Sequence, residues 1–313
     1  MKKIAIIVLS ILLLILISVY LFIPRQIRIA SHMQLPVSQE ALQRVLANDS
    51  NWYKWWPGET NRNGDSITYL LSGRQYKLHD AKVLSVPVLI SDGNFSLPAE
   101  MVLLKVNTDS VIIQVSAAIS SSSNPISRVK DFFRAKKIKS DFSKLLSAIN
   151  NHYSITKNLY GYDIQKQRVI DSTLLMNFRE MKKQPAAEDI YSLVDELKAY
   201  IQKEGAKETG LPMLNIFTND SVNYMLKVAI PVDRKLPPSG NMSYKWMLGG
   251  GNILITEVKG DQQEIEKAYK QIQLYIADYN RVAPAIPFES LVTDRRQEKD
   301  STKWVTRIYY PVM

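Results

Sequence analysis

The chain contains no cysteine. Disulfides, thiolate catalysis and cysteine-ligated metal sites are excluded with it. Histidine is nearly as scarce. His32, His79 and His152 are the full set, and none has a carboxylate or a second histidine at ligand spacing. A zinc site or a Ser-His-Asp triad needs histidine placed for the purpose, and no Gly-x-Ser-x-Gly elbow is present. Glycine offers one run, Gly249-Gly250-Gly251. A phosphate loop would need a helix directly after it, whereas Asn252-Ile253-Leu254-Ile255 reads as a strand. The glycines therefore read as a turn or bulge. No helix-turn-helix pattern is found, so direct contact with nucleic acid is not expected.

What remains is ordinary globular material. At 313 residues the chain suits two domains better than one, and 46% apolar with 22% charged residues gives each a real core. The net charge is +10, and removing Lys2 and Lys3 still leaves +8. Much of that excess is local. Arg128, Lys130, Arg134, Lys136, Lys137, Lys139 and Lys144 face only Asp131 and Asp141 between Pro125 and Asn150. A basic helix can meet nucleic acid or anionic lipid, but a solvated outer face is the preferred reading.

Residues 4–23 form an apolar run interrupted only by Ser10 and Ser18, with Tyr20 near its end. Its length predicts an uncleaved transmembrane anchor over residues 1–24, because no small-x-small cleavage site follows. Lys2 and Lys3 before it, against Arg25 and Arg28 after it, lean weakly towards an inside amino terminus. That orientation would put both domains outside the cytoplasm, on a single-pass protein of the cell membrane.

The next stretch, residues 25–153, reads as strand, helix, several strands and a long helix. Gln26 to Leu35 alternates as a strand, Pro36 ends it, and Ser38 is a helix cap. After the loop Asn51-Trp52-Tyr53-Lys54-Trp55-Trp56-Pro57 come β-rich runs at Ser66–Leu71, Tyr76–Ile90, Asn94–Val106 and Val111–Ser120. A final helix carries Ile126, Val129, Phe133, Ile138, Phe142, Leu145, Leu146 and Ile149 at helical spacing. The strand–Pro–helix opening, the Trp-x-x-Trp-Trp-Pro loop and the closing helix resemble the START-like superfamily of polyketide cyclases and lipid-transfer proteins. The resemblance implies a curved antiparallel sheet gripping a long helix over a cavity.

Residues 154–313 contain an internal repeat. Ile190, Leu197, Tyr200, Ile201 and Pro212 recur 75 positions later as Ile265, Ile272, Tyr275, Ile276 and Pro287. Beyond a five-residue insertion the offset becomes 80, so Tyr224, Lys227, Val228, Pro231 and Val232 meet Trp304, Arg307, Ile308, Pro311 and Val312. The insertion fits within the charged stretch Asp294–Asp300. Each copy reads as strand, helix, strand, strand, opening with Arg168–Met181 and Asn252–Val258, and two copies should share one sheet about a pseudo-twofold axis. Ile190-Tyr191-Ser192-Leu193, Gly210-Leu211-Pro212, Val258-Lys259-Gly260 and the terminal Ile308-Tyr309-Tyr310-Pro311-Val312 resemble the gyrase-inhibitor-like (GyrI-like) effector-binding domain. That resemblance covers about 160 to 313 and implies a cleft between the copies for a small organic molecule. The family often carries glutamate just before the terminal motif; here it is Arg307.

The fold class is thus α+β: a transmembrane helix, a START-like helix-grip domain and a duplicated strand-helix-strand-strand domain. Trp52, Trp55 and Trp56 are either a lid over the first cavity or a plug in its core. On the last strand Arg307 and Tyr309 share a face, which the resemblance turns towards the cleft. Tyr162, Tyr191, Tyr224 and Trp246 are further cleft candidates, each with core packing as the plain alternative. Glu257, Glu289 and Asp163 are acidic candidates, more commonly solvated strand residues than bases. The leading function is a membrane-tethered, non-catalytic binder of small apolar or amphipathic ligands, without cofactor or metal. Arg307 and Lys227 would favour neutral or anionic ligands, unless Arg307 points outward to pair with Glu298 or Asp300. The alternatives are a small-molecule hydrolase using Glu257 or Glu289 beside a tyrosine, and an interaction scaffold with filled pockets.

Overall fold

The computed structural model describes residues 2–63, 66–79, 84–169, 172–218, 222–247 and 250–313, less the side chains of Lys2, Ala5, Asn63, Ser66 and Ser172. It divides into two compact units, Met1–Ile155 and Thr156–Met313. Both are α+β, each built on one antiparallel sheet.

The first unit begins with α1 (Lys2–Phe22), followed by β1 (Gln26–Leu35), α2 (Gln39–Leu46), β2 (Glu59–Asn63), β3 (Ser66–Leu71) and β4 (Arg74–Leu78). β5 (Ser85–Asp92), β6 (Phe95–Asn107), β7 (Ser110–Ser120) and α3 (Pro125–Tyr153) complete it. The β-rich run expected over Tyr76–Ile90 is thus two strands, and residues 80–83 lie outside the described set. The sheet order is β1-β7-β6-β5-β4-β3-β2. Ser38 caps α2 by accepting the Ala41 amide at 3.1 Å, and Asn124 caps α3 by accepting those of Ile126 and Ser127.

The membrane anchor expected over residues 4–23 is corrected. Among the described residues, no helix is long and apolar enough to cross a membrane. A crossing helix needs about 20 consecutive apolar residues to cover a core of roughly 30 Å. The carboxyl-terminal end of α1 is tied to α3: the Tyr20 hydroxyl donates to the Ser123 carbonyl at 2.7 Å, and Arg128 lies 4.9 Å above the Tyr20 ring. The single-pass localisation and the membrane as a partner, both inferred from that run, are withdrawn with it.

Helix α3 buries Ile138, Phe142, Leu145, Leu146 and Ile149, while Lys130, Lys136, Lys137, Lys139 and Lys144 are exposed. Ile126 and Phe133 share their spacing but stay exposed. Arg128 leaves the basic face altogether, buried with Nε donating to the Ile23 carbonyl at 2.9 Å. Deeper in the helix, Asp141 is buried and accepts from Ser72 Oγ and Arg74 Nη1, both at 2.7 Å, and from the Tyr76 hydroxyl at 3.3 Å.

The second unit opens with α4 (Thr156–Tyr160) and β8 (Gln165–Arg168). Its first repeat is β9 (Ser172–Met181), α5 (Ala187–Lys203), β10 (Met213–Thr218) and β11 (Tyr224–Val232). After β12 (Ser243–Met247) the second follows as β13 (Asn252–Lys259), α6 (Gln262–Asp278), β14 (Phe288–Leu291) and β15 (Val305–Val312). The strand expected over Arg168–Met181 is two separate elements with residues 170–171 outside the described set, as is Gly249 of the glycine run. Helices α5 and α6 begin and end 75 residues apart, and β11 and β15 end 80 apart.

The sheet order β12-β9-β11-β10-β14-β15-β13-β8 sets the two repeats back to back. At the centre β10 meets β14 through one registered pair, Leu214 with Glu289, and Asn215 Nδ2 bridges the seam to the Pro287 carbonyl at 2.8 Å. Alternation then assigns the faces. Leu226, Val228 and Ile230 of β11 pack beneath α5, with Ile190, Leu193, Val194, Leu197 and Ile201 above them. On β15, Thr306 and Ile308 are buried likewise. Lys227, Ala229, Arg307 and Tyr309 consequently share the opposite face, which carries neither α5 nor α6.

Candidate functional site

That helix-free face holds a cleft of about 570 Å³ across the two repeats. Its wall is built by Leu174 and Met176 from β9, Met213 from β10, Ala229 from β11, Ile253 from β13, Phe288 from β14 and Trp246 from β12. Polar side chains at the wall are few: Asn215, Lys227 and Asn252. Phe288 stacks on Tyr309 with ring centroids 4.7 Å apart and planes at 13°. Trp246 stands at the rim, 58% exposed.

Two buried polar atoms on this face lack a hydrogen-bond partner among the described residues, Asn215 Oδ1 and Ser290 Oγ. They stand 75 positions apart, so the repeat relates them. Lys227 on β11 is the cross-strand neighbour of Asn215 on β10, and Arg307 on β15 that of Ser290 on β14. Nothing in the sequence reading singled out Asn215, Ser290 or Phe288. Extending the 75-residue offset by three positions beyond Pro212 and Pro287 would have reached the first two.

Beside the cleft a polar pocket of about 660 Å³ gathers Asp163, Gln165, Gln167, Glu257, Arg307 and Tyr309. Glu257 is the cross-strand neighbour of Arg307, whose Nη2 and Nε donate to Oε1 at 2.5 and 3.0 Å. Arg307 Nη1 also reaches the Tyr309 hydroxyl at 3.4 Å. These bonds hold the guanidinium in its charged form. The partner of Arg307 is therefore Glu257, and neither Glu298 nor Asp300.

On the opposite, helix-covered face a cavity of about 350 Å³ is lined by Tyr224, Tyr269, Glu289 and Arg295 among others. Burial pushes the Glu289 carboxyl up, against a hydrogen bond from Tyr269 and the charge of Arg295. Burial also raises the Tyr269 hydroxyl, and Glu289 adds to that shift. Arg295 is held on three sides. Its Nη2 donates to Thr306 Oγ1 at 2.9 Å, its amide donates to the Tyr191 hydroxyl at 2.9 Å, and its guanidinium lies 4.6 Å from the Trp304 ring.

The residues anticipated from sequence are thus dispersed. Trp246 borders the cleft; Glu257, Arg307 and Tyr309 form the polar pocket; Tyr224 and Glu289 line the cavity beneath the helices. Tyr191 is buried beside Arg295 and Arg296, and the Tyr162 hydroxyl donates to the Glu264 carbonyl at 3.4 Å. In the first unit Trp52, Trp55 and Trp56 are buried among Tyr69 and Tyr76, with Trp52 and Trp56 stacked at 5.9 Å. The Trp52 and Trp56 indole N–H groups donate to the Leu46 and Leu70 carbonyls. Among the described residues no cluster of acidic and histidine side chains is arranged to hold a metal ion.

No protein-family profile matches the chain, and no curated protein matches it. Similar solved structures include the C-terminal domain of EcmrR, at 16% identity and a TM-score of 0.42, covering 49% of this chain and 98% of that one. A hydrolase from Listeria innocua is similar at 12% identity and a TM-score of 0.37, over 48% of this chain and 91% of its own. SAV2435 bound to tetraphenylphosphonium is similar at 16% identity and a TM-score of 0.31, over 48% and 93%.

Proposed function

We propose that the second unit is a non-catalytic binding module of GyrI-like type, which takes a small molecule with an apolar body into the cleft on its helix-free face. One observation carries the reading: a concave, almost wholly apolar wall, with the Asn215 side chain among its few polar groups, encloses about 570 Å³. A small molecule seated there would cover methionine and aromatic surface, which is how such clefts hold their ligands. We propose further that the first unit, over residues 25–153, is a START-like helix-grip domain. Its seven-stranded antiparallel sheet and long α3 support that reading.

A hydrolytic reading finds less support. Glu257 is engaged by Arg307, and Glu289 faces the helix layer rather than the cleft. The test is a titration of the full chain with the uncharged dye Nile red. Saturable binding to wild type, lost in Ala229→Trp where the new ring fills the cleft, is the expected result. Equal binding by the two proteins would place the dye elsewhere and remove the reading.

A further inference from the structure

We infer that the cleft is selective for anionic ligands and that Lys227, rather than its repeat mate Arg307, is the residue that recognises the charge. The inference rests on the binding reading above and deepens it.

The argument is a broken symmetry. Lys227 and Arg307 occupy equivalent positions on β11 and β15, and each faces one cross-strand neighbour on either side. Arg307 has Ser290 on β14 and Glu257 on β13, and the carboxylate neutralises it. Lys227 has Asn215 on β10 and Phe178 on β9. Where the second repeat places a glutamate, the first places a phenylalanine. The Lys227 ammonium instead lies 4.7 Å from the Phe217 ring centroid, and among the described residues it has no ion-pair partner.

The surroundings of Lys227 point the same way. It is half-buried, and among the described residues the side chains that line the cleft include no acidic one. Met313 contributes at the rim, where its main-chain oxygen accepts the Val282 amide. A partly desolvated cation in an apolar recess attracts an anion more strongly than a solvated one does, because water screens it less. A cationic ligand would meet repulsion from Lys227, and burying one cation beside another is costly. The ligand class that fits is an apolar body bearing one negative charge for Lys227 Nζ.

The test uses two ions of the same shape and opposite charge, tetraphenylborate and tetraphenylphosphonium, titrated against the full chain. Wild type should bind the borate at least about tenfold more tightly than the phosphonium, the scale of one charge-assisted contact. In Lys227→Met that ratio should collapse several-fold. In Lys227→Arg it should persist, and in Arg307→Gln it should stay near wild type. Added salt should weaken the borate and leave Nile red unaffected. An equal or reversed ratio in wild type overturns the inference. So does a ratio that ignores Lys227→Met, or one that Arg307→Gln abolishes. Should neither ion bind while Nile red does, charge recognition is refuted and the cleft stands; should Nile red fail as well, the cleft reading has failed first.

Discussion

The two units solve the same packing problem in opposite ways. Each lays helices on one face of an antiparallel sheet. In the first, Trp52, Trp55, Trp56, Tyr69 and Tyr76 form one contiguous cluster of rings, all buried. In the second, leucine, isoleucine and valine suffice beneath α5, and the other face is lined by Met176, Met213 and Phe288 around open volume. The rings of the first unit fill the space they surround and stabilise it, whereas the open face of the second leaves about 570 Å³ unfilled.

That contrast is most sharply broken by mutations in the first unit. Trp52 is fully buried, so Trp52→Ala should cost about 3–5 kcal/mol of stability through lost burial and the cavity left behind. Asp141→Ala should cost a similar ~3–5 kcal/mol, because it strands Arg74 without its carboxylate in the interior. Peptide-resolved hydrogen exchange should report the loss in β1–β7 and α3, with Nile red binding by the second unit retained. Intact protection around Trp52 in the alanine variant would show that the rings are not what holds this unit together.

A smaller effect sharpens the other side. Trp246 is mostly exposed at the rim, so Trp246→Ala should leave the denaturation midpoint unchanged within error. It should weaken Nile red binding several-fold, about the worth of one aromatic contact at ~1 kcal/mol. Unchanged affinity would move the ligand away from β12.

The reach of the sequence differs between the two regions for physical reasons. The repeat was legible because helices bury a stripe: Ile190, Leu197 and Ile201 must recur as Ile265, Ile272 and Ile276 wherever the same helix packs on the same sheet. The cleft was not, because strand alternation says which residues share a face but not which face the helices cover. Arg307 and Tyr309 share a face of β15 and line one polar pocket. Their shared pocket, however, is closed electrostatically by Glu257, a pairing set by the register of β13 on β15. Tyr191 has an aromatic side chain like any binding residue; only the chain path after β14 brings the Arg295 amide to its hydroxyl. The apolar run at the amino terminus misled for a different reason. The finding that overturns it is that, among the described residues, no helix is long and apolar enough to cross a membrane.

The smallest expected effect concerns the covered face, where Glu289 marks a cost the open face does not carry. Its folded carboxyl is raised by burial above the ordinary 4.5. The folded state therefore holds its proton more tightly than the unfolded chain does. Stability from this group is fully present below the unfolded value and declines as pH rises from there through the folded one. Glu289→Gln keeps the shape and removes the titration. In guanidinium denaturation series, wild type and Glu289→Gln should have similar midpoints at the acid end, and the variant should gain on wild type as pH climbs past 4.5. Arg295 opposes this trend, since its charge favours the carboxylate, but burial is the larger cause of the shift. A variant that instead falls behind wild type at neutral pH would show that the Glu289–Arg295 attraction outweighs the desolvation. The covered face would then hold a balanced ion pair, as Arg307 and Glu257 form on the other face.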